Sequence, residues 1–482
     1  MSGRLNSSGG VPPAEGSQSG GPAGASAVDR TGTSAANHAG TSAGAKTPEN
    51  PAKVAFASFV GTAIEWYDYF LFGTAAVLVL NDQFFPSLSP VASQLSALAT
   101  FAVAFIARPV GGLVFGHFGD RIGRKQMLVL SLLMMGGATV AIGLLPGYTT
   151  IGVAAPILLV VLRLIQGFGV GGEWGGAVLM AVEHAPRHKR AFYGSWPQVG
   201  VPAGSLLSSG AFFLVQMMPE EQFLTWGWRI PFLVSALLVL VGFVIRLKLE
   251  DSPDMQKMHE EESHAVVPAL EMFRDHKHSL LVGIFTLVGS NTLFYLVTVY
   301  LLALAPAETD MSRGTVLLAI AFGSLLDIIA IPLLAIFADQ HGKKKMLIIG
   351  SIVTAAVSVP IFALMMSGQT WAAYVAMVLA FPIGHSFVYA TSSGFIAELF
   401  EPRVRYTGAS ISYQLCGLIS SAPAPLISTT LFAATGSWVP VALYMAATQL
   451  LAALFIATAK PKDEVKADEP GPSTSGSSVT TR

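Results

Sequence analysis

Apolar residues run along the chain in twelve blocks separated by short polar connections, near 54–80, 92–115, 126–146, 152–180, 194–217, 229–248, 279–305, 314–337, 346–366, 372–396, 408–433 and 438–459. A hydrocarbon core about 30 Å thick is crossed by roughly 20 apolar residues of helix, so each block predicts one transmembrane helix. Basic residues gather on alternate connections. Arg121, Arg124 and Lys125 follow the second block, Arg187, Lys189 and Arg190 the fourth, Lys343, Lys344 and Lys345 the eighth, and Arg403 and Arg405 the tenth. Arg246 to Lys277 frame the long central connection, and Lys460 follows the last block. Arg313 is the main exception on the other side. Positive residues stay on the cytoplasmic side, which predicts that both termini and the central loop are cytoplasmic.

The pattern divides the chain into an N-terminal six-helix bundle over 51–248, a central cytoplasmic loop over 249–278 and a C-terminal six-helix bundle over 279–459. Residues 1–50 and 460–482 are rich in small and polar residues, cannot bury a core, and are expected to be disordered cytoplasmic tails. The first tail lacks the apolar stretch of a signal peptide. Composition agrees with a membrane protein. Only 12% of the 482 residues are charged, where a soluble chain carries about 25%. A net charge of -1 gives nothing to attract nucleic acid. One cysteine, Cys416, excludes an intrachain disulfide. His259, His264, His276 and His278 lie in the charged central loop and read as solvated residues, so no metal or other cofactor is expected.

Two markers recur in the same order. "GHFGDRIGRK" (Gly116–Lys125) and "AIFADQHGKKK" (Ala335–Lys345) each place a Gly three residues and a base four residues after an acid. "EHAPRHKRAFYGS" (Glu183–Ser195) and "ELFEPRVRYTGAS" (Glu398–Ser410) each set a Glu before a basic cluster and a Gly before the next helix. A repeat of 215–219 residues duplicates a whole bundle. Two similar bundles around a central cavity are the architecture of secondary transporters.

Several ionisable residues lie inside the apolar blocks. A charge at the bilayer centre costs about 2.5–3.5 kcal/mol on insertion scales, so each must face a cavity or a partner. Glu65 and Asp68 stand mid-helix, three apart and thus on nearly one face, flanked by Trp66, Tyr67 and Tyr69. They are candidates for proton or substrate binding, the alternative being a salt bridge between helices. Arg108, followed by Pro109, has the planar fork that suits a carboxylate, or else pairs permanently with an acid of the first helix. Arg163 and Gln166 share a face of the fourth helix, and Glu173 follows seven residues later as a further proton-coupling candidate. Gly167, Gly171 and Gly175 form a small-residue ridge for close helix packing. Asn291 and Tyr295, four apart on the seventh helix, can line the C-terminal wall. Asp327 and His385 are further buried titratable groups, each readable as a plain hydrogen-bonding residue.

The stretches "EWYDYFLFG", "FIARPVGGLVFGHFGDRIGRK", "RLIQGFGVGGEWGGAVLMAVEHAP" and "WGWRIPFLVSA" resemble the metabolite:proton symporter branch of the major facilitator superfamily, which includes transporters of citrate, 2-oxoglutarate, shikimate and proline/betaine. The resemblance spans about Ala52 to Lys460 and is strongest before Arg246. In the second half Ala335 replaces the Gly, and Gln340 the base, of the loop signature. The resemblance implies an all-α membrane protein with twelve transmembrane helices in two pseudo-symmetric six-helix bundles. It makes Arg108 the first choice for an anionic substrate and likens Arg163 to the helix 4 arginine linked to substrate and proton coupling. Trp66, Tyr67, Gln166, Asn291, Tyr295 and His385 complete the expected substrate site. It also implies a cytoplasmic gate formed by Asp120, Arg121, Arg124 and Glu183, with Asp339, Lys343, Glu398 and Arg403 as its second copy.

The expected activity is proton-coupled import of a small organic acid, with no enzymatic step, by a monomer in a bacterial inner membrane. Its partners are protons, a small-molecule substrate and the lipid bilayer. Two alternatives stand beside it: an osmolyte symporter for proline or betaine, and a membrane sensor that binds solute without moving it. The tail after Lys460 carries Pro470 and Pro472 and no heptads, unlike the long heptad tails of osmosensing members, which ranks the osmolyte reading second.

Overall fold

The computed structural model describes residues 51–122, 124–171, 181–182, 185–186, 189–248, 268–401 and 404–459. Both expected tails, most of the central loop, and Glu173, Glu183 and Arg403 lie outside the described residues, as do the side chains of Asp120, Arg121 and Arg124. Among the described residues every regular element is helical.

The helices are α1 (Pro51–Ala75), α2 (Pro90–Ile122), α3 (Arg124–Leu144), α4 (Ala154–Val170), α5 (Arg190–Gln216), α6 (Arg229–Lys248), α7 (Lys277–Tyr295), α8 (Arg313–His341), α9 (Lys343–Met365), α10 (Thr370–Val378), α11 (Arg405–Cys416) and α12 (Val439–Thr458). Four of them continue past these limits. One π-helical turn leads α1 on to Phe84, another carries α7 to Glu308, and longer extensions take α10 to Glu398 and α11 to Thr435. Nine helices in the described residues are long and apolar enough to span a bilayer, and α6 adds one more across a 44° bend. The apolar parts of α3 and α4 within the described residues are shorter.

The burial pattern of α4 shows why these helices need a bilayer. It buries Arg163, Gln166 and Gly167 while exposing Ile157, Leu158, Val161 and Leu164. Water would reverse that arrangement; lipid stabilises it, because side chains on the outer face meet hydrocarbon and polar groups must find partners inside. On α6, Leu233, Leu237, Leu240 and Val244 form a similar exposed apolar stripe. Many hydroxyls are satisfied within their own helix, as where Thr139 of α3 donates to the Met135 carbonyl at 3.0 Å.

The two halves repeat one packing scheme. α1 packs on α5, α2 on α4 and α3 on α6; in the second half α7 packs on α11, α8 on α10 and α9 on α12. Between the halves, α5 lies on α8 and α2 on α11, which are equivalent pairs under the duplication. The π-turns add a marker invisible in the residue types: Ala76–Leu80 in the first helix and Leu296–Tyr300 in the seventh lie 220 residues apart. Each adds a residue to a helical turn and rotates the rest of its helix, a feature common at functional sites.

The glycine ridge brings α2 and α4 into backbone contact. A Cβ on Gly167 would lie 2.1 Å from the Ala104 carbonyl oxygen, and one on Gly171 would lie 2.1 Å from that of Arg108. Only a hydrogen fits at those points. Arg229 completes the opposite end of the first bundle, donating to the carbonyls of Gly143 and Leu145 at 2.9 and 2.7 Å and so capping the end of α3. Part of the expected central loop is ordered as a short helix, Pro268–Asp275, whose Met272 is buried against Phe400 and Gly408.

Candidate functional site

α1, α5, α7 and α10 meet at a crevice between the halves, lined by Trp66, Phe70, Val201, Asn291, Phe294, Tyr295, His385 and Tyr389. Its cavity volume is only about 10 Å³, far below the roughly 300–1,000 Å³ of an open ligand pocket. The two halves are therefore closed around it. Phe70 packs on Phe294 with ring centroids 5.1 Å apart, and Gly73 faces Val299. Gln414 of α11 donates to the Gly171 carbonyl at 2.8 Å, and Ser324 of α8 donates to Ser205 of α5 at 3.1 Å.

Beside the crevice lie two buried guanidiniums. Arg108 stands 4.2 Å from the centre of the Tyr69 ring and 4.6 Å from that of Phe105. Arg163 stands 5.1 Å from Tyr69 and 4.0 Å from Phe72. Tyr69 is thus shared by both cations. Rings stabilise a desolvated cation by about 2 kcal/mol, which lowers the cost of burial without neutralising the charge. Arg163 is also held by hydrogen bonds to Gln166 and to the Phe101 carbonyl, and Gln166 donates to Thr139 at 2.8 Å. The Gln166 side chain therefore positions Arg163.

Around this pair, Trp66 Nε1, the Tyr69 and Tyr295 hydroxyls, Arg108 Nε and Arg163 Nε are buried with no hydrogen-bond partner among the described residues. Each is a donor or can act as one. A buried donor left unsatisfied costs about 1–3 kcal/mol. A ligand rich in acceptors would remove that cost at several positions together.

Glu65 and Asp68 diverge instead of sharing a target. Residues three apart on a helix differ by about 60° in direction, and here the boundary between the halves falls within that angle. Glu65 lies within electrostatic reach of Tyr389 and Tyr413 of the second half. Asp68 is fully buried inside the first bundle near the hydroxyls of Thr139 and Ser235, without completing a hydrogen bond to either. Tyr67 also turns into the first bundle, donating to the Pro231 carbonyl at 2.8 Å. Trp66 remains on the crevice. Asn291 lines the crevice and donates to Cys416 Sγ at 3.5 Å.

In the second half, His385 Nδ1 lies 2.8 Å from Asp327 Oδ2, and Ser386 donates to the other oxygen of the same carboxylate. Both members of the pair are buried. Sequence reading singled out each residue but not the pairing, because the two are 58 positions apart. It named Tyr69 only as a neighbour of the two acids and passed over Tyr389 and Tyr413, since tyrosines in apolar helices give no distinctive pattern.

At the end of the molecule that carries the α8–α9 turn, Asp339 accepts from the backbone N–H groups of Ala191 and Phe192 at 3.0 and 3.1 Å. Lys343 donates to Glu398 at 2.6 Å. Ser393 donates to the Gly194 carbonyl at 3.1 Å, and Gln198 reaches the Tyr389 carbonyl and Ser392 at 3.3 Å. The start of α5 is thereby tied to the ends of α8 and α10.

The family model described as Major Facilitator Superfamily matches residues 58–409 and 299–481. The chain belongs to this superfamily. It is 42% identical over 410 residues to the inner membrane metabolite transport protein YhjE of Escherichia coli, covering 83% of this chain and 92% of the relative. It is 40% identical to the shikimate transporter of Escherichia coli, over 83% of this chain and 93% of that protein. The proline/betaine transporter of Salmonella typhimurium is 33% identical over 76% of this chain and 75% of its own. Among solved structures, the proton:xylose symporter XylE superposes with a TM-score of 0.66 at 17% identity, over 84% of this chain and 95% of that one. The fold is thus the expected major facilitator fold, two six-helix bundles of an all-α membrane protein. The protein is a multi-pass membrane transporter of metabolites, and its relatives are transporters, not enzymes.

Proposed function

We propose that this transporter is a proton-coupled symporter that imports a small carboxylated metabolite of the shikimate type into the cytoplasm of a bacterial cell, across the inner membrane. The observation that carries the reading is the set of unpartnered donors around Arg108 and Arg163, walled by Tyr69, Phe105 and Tyr295. A carboxylate supplies the charge two guanidiniums call for, and ring hydroxyls supply acceptors for Trp66 and the tyrosines. The shikimate transporter among the relatives supports this substrate class.

In the proposed cycle the crevice opens outward, and solute docks between Arg108, Arg163, Trp66 and the α7 wall of Asn291 and Tyr295. Glu65, at the boundary between the halves, takes up a proton; Asp68 is the second proton-binding candidate. Protonation and solute binding together favour the same rocking movement, which is the condition for coupling. Asp339, Lys343 and Glu398, with Asp120, Arg121, Arg124, Glu183 and Arg403 as the remaining gate candidates, tie the cytoplasmic end while the outside is open and release it for discharge.

The test is uptake into proteoliposomes of purified protein with radiolabelled shikimate, citrate, 2-oxoglutarate and proline. An inward proton gradient is expected to drive accumulation of a carboxylate, and an uncoupler to abolish it. Accumulation of proline alone would favour the osmolyte reading, and binding without uptake would favour a sensor.

A further inference from the structure

We propose that Asp327 and His385 form a second proton-carrying site, in the C-terminal half, loaded and unloaded in each transport cycle. The inference rests on the symport reading and adds to it a group outside the cluster of Arg108, Arg163, Glu65 and Asp68.

The pair is buried where a structural role is costly. The Asp327 carboxylate accepts from Ser386 at one oxygen and from His385 Nδ1–H at the other. Among the described residues His385 is the only group bonded to Asp327 that can become a cation. With neutral imidazole, the pair carries one uncompensated negative charge in a low-dielectric interior. Adding a proton at His385 Nε2 leaves both hydrogen bonds to Asp327 in place and makes an imidazolium–carboxylate pair of zero net charge. No bond but N–H forms, and the proton comes from and returns to water.

The position of the pair connects it to transport. His385 lines the crevice and closes the π-helical segment Leu379–His385 of the tenth span. Its ring stacks on Tyr389 at 4.5 Å and lies 4.7 Å from Phe294. When the halves part, water entering the crevice reaches His385; when they close, it is excluded. Among the described residues, Tyr389 of its own helix and Tyr295 of α7 line the crevice with His385, and Tyr389 is within electrostatic reach of Asp327, of Tyr413 on α11 and of Glu65 on α1. Among the described residues α5 and α9 contribute uncharged groups here, Ser205 through Ser324, Gln198 at the Tyr389 carbonyl and Thr354 through the Gly384 carbonyl. Glu65 and the pair therefore address the same tyrosine, Tyr389, from opposite halves.

The experiment uses full-length protein in proteoliposomes containing a pH-sensitive dye, with shikimate as the probe or whichever of citrate, 2-oxoglutarate and proline the parent accumulates. Asp327→Asn and His385→Gln are expected to reduce gradient-driven accumulation and solute-induced proton influx at least about tenfold. Asp327→Asn, which lies outside the crevice lining, is expected to retain solute counterflow, which needs binding and rocking but no net proton movement. A coupled parent whose Asp327→Asn variant keeps the parental proton-to-solute ratio overturns this inference alone. So does loss of counterflow in folded Asp327→Asn protein, which would make the pair a solute-binding element. A parent that moves solute without protons overturns the symport reading and this inference with it. Should neither variant fold, Ser386→Ala decides: removing one donor to Asp327 is expected to displace the pH midpoint of uptake by about half a unit or more, and an unchanged profile overturns the proposal.

Discussion

The Asp339 carboxylate accepts the backbone N–H of Ala191 at 3.0 Å, so that a side chain at the end of α8 caps the first turn of α5 in the other half of the molecule. The Phe192 N–H completes a two-point contact at 3.1 Å. Helix N-termini present donors with no partner inside the helix and a partial positive charge. A carboxylate supplied by the opposite half satisfies them only while the halves are together at this end.

Replacing the cap weakens the closed arrangement. Loss of an N-terminal cap costs about 1 kcal/mol and up to about 2. Asp339→Ala is therefore expected to raise the labelling rate of a cysteine placed at Ser393, which is buried against Gly194 in this arrangement, by roughly five- to thirtyfold. The background is Cys416→Ser. Unchanged labelling would remove Asp339 from the latch.

The Lys343–Glu398 contact is partly exposed, with both side chains retaining about a sixth of their surface. A contact of this kind is worth about 0.2–1 kcal/mol. Lys343→Gln and Glu398→Gln are each expected to lower thermal stability slightly, with the double variant no worse than either alone. A double-mutant cycle with no coupling would reduce the pair to separate helix-end charges.

Close packing of α2 on α4 predicts a sharp asymmetry between glycines. Gly167→Val drives a side chain into the Ala104 backbone and is expected to cost at least about 1–3 kcal/mol, read as a fall in melting temperature in detergent. Gly137→Ala on α3 meets nothing within 4 Å and is expected to leave stability unchanged or raise it slightly.

Tyr69 separates binding from stability. Its ring faces both Arg108 and Arg163, and its hydroxyl has no hydrogen-bond partner among the described residues. Tyr69→Phe keeps the ring and is expected to leave the melting temperature within error while raising KM for a carboxylated solute several-fold, as for loss of one hydrogen bond to a charged group. Tyr69→Ala also removes the ring between the cations and is expected to reduce stability as well.

Much of this organisation was legible in the residue pattern, for identifiable reasons. Long apolar runs mark the spans because hydrocarbon penalises any other arrangement. The duplicated acid and base markers located Asp339, Lys343 and Glu398, and the cost of buried charge singled out Arg108, Arg163, Glu65 and Asp68. Less legible were relationships set by rotation and by distant contacts. A three-residue spacing did not reveal that Asp68 points into the first bundle while Glu65 reaches toward Tyr389. The π-turns that rotate the ends of α1 and α7 have no residue signature. The Asp327–His385 bond needed the packing of α8 on α10, and the helix Pro268–Asp275 needed its contact with the start of α11.

The central claim is that charges buried between the halves serve a chamber in which an anionic solute and a proton are bound together. Its most direct test tracks shikimate accumulation and dye-reported proton influx together in proteoliposomes of the parent and of the Glu65→Gln and Arg108→Gln variants. The account predicts that the parent shows both fluxes in a fixed ratio, that Glu65→Gln loses accumulation while retaining counterflow, and that Arg108→Gln loses solute binding and both fluxes. Parental accumulation with a parental flux ratio in both variants would contradict it.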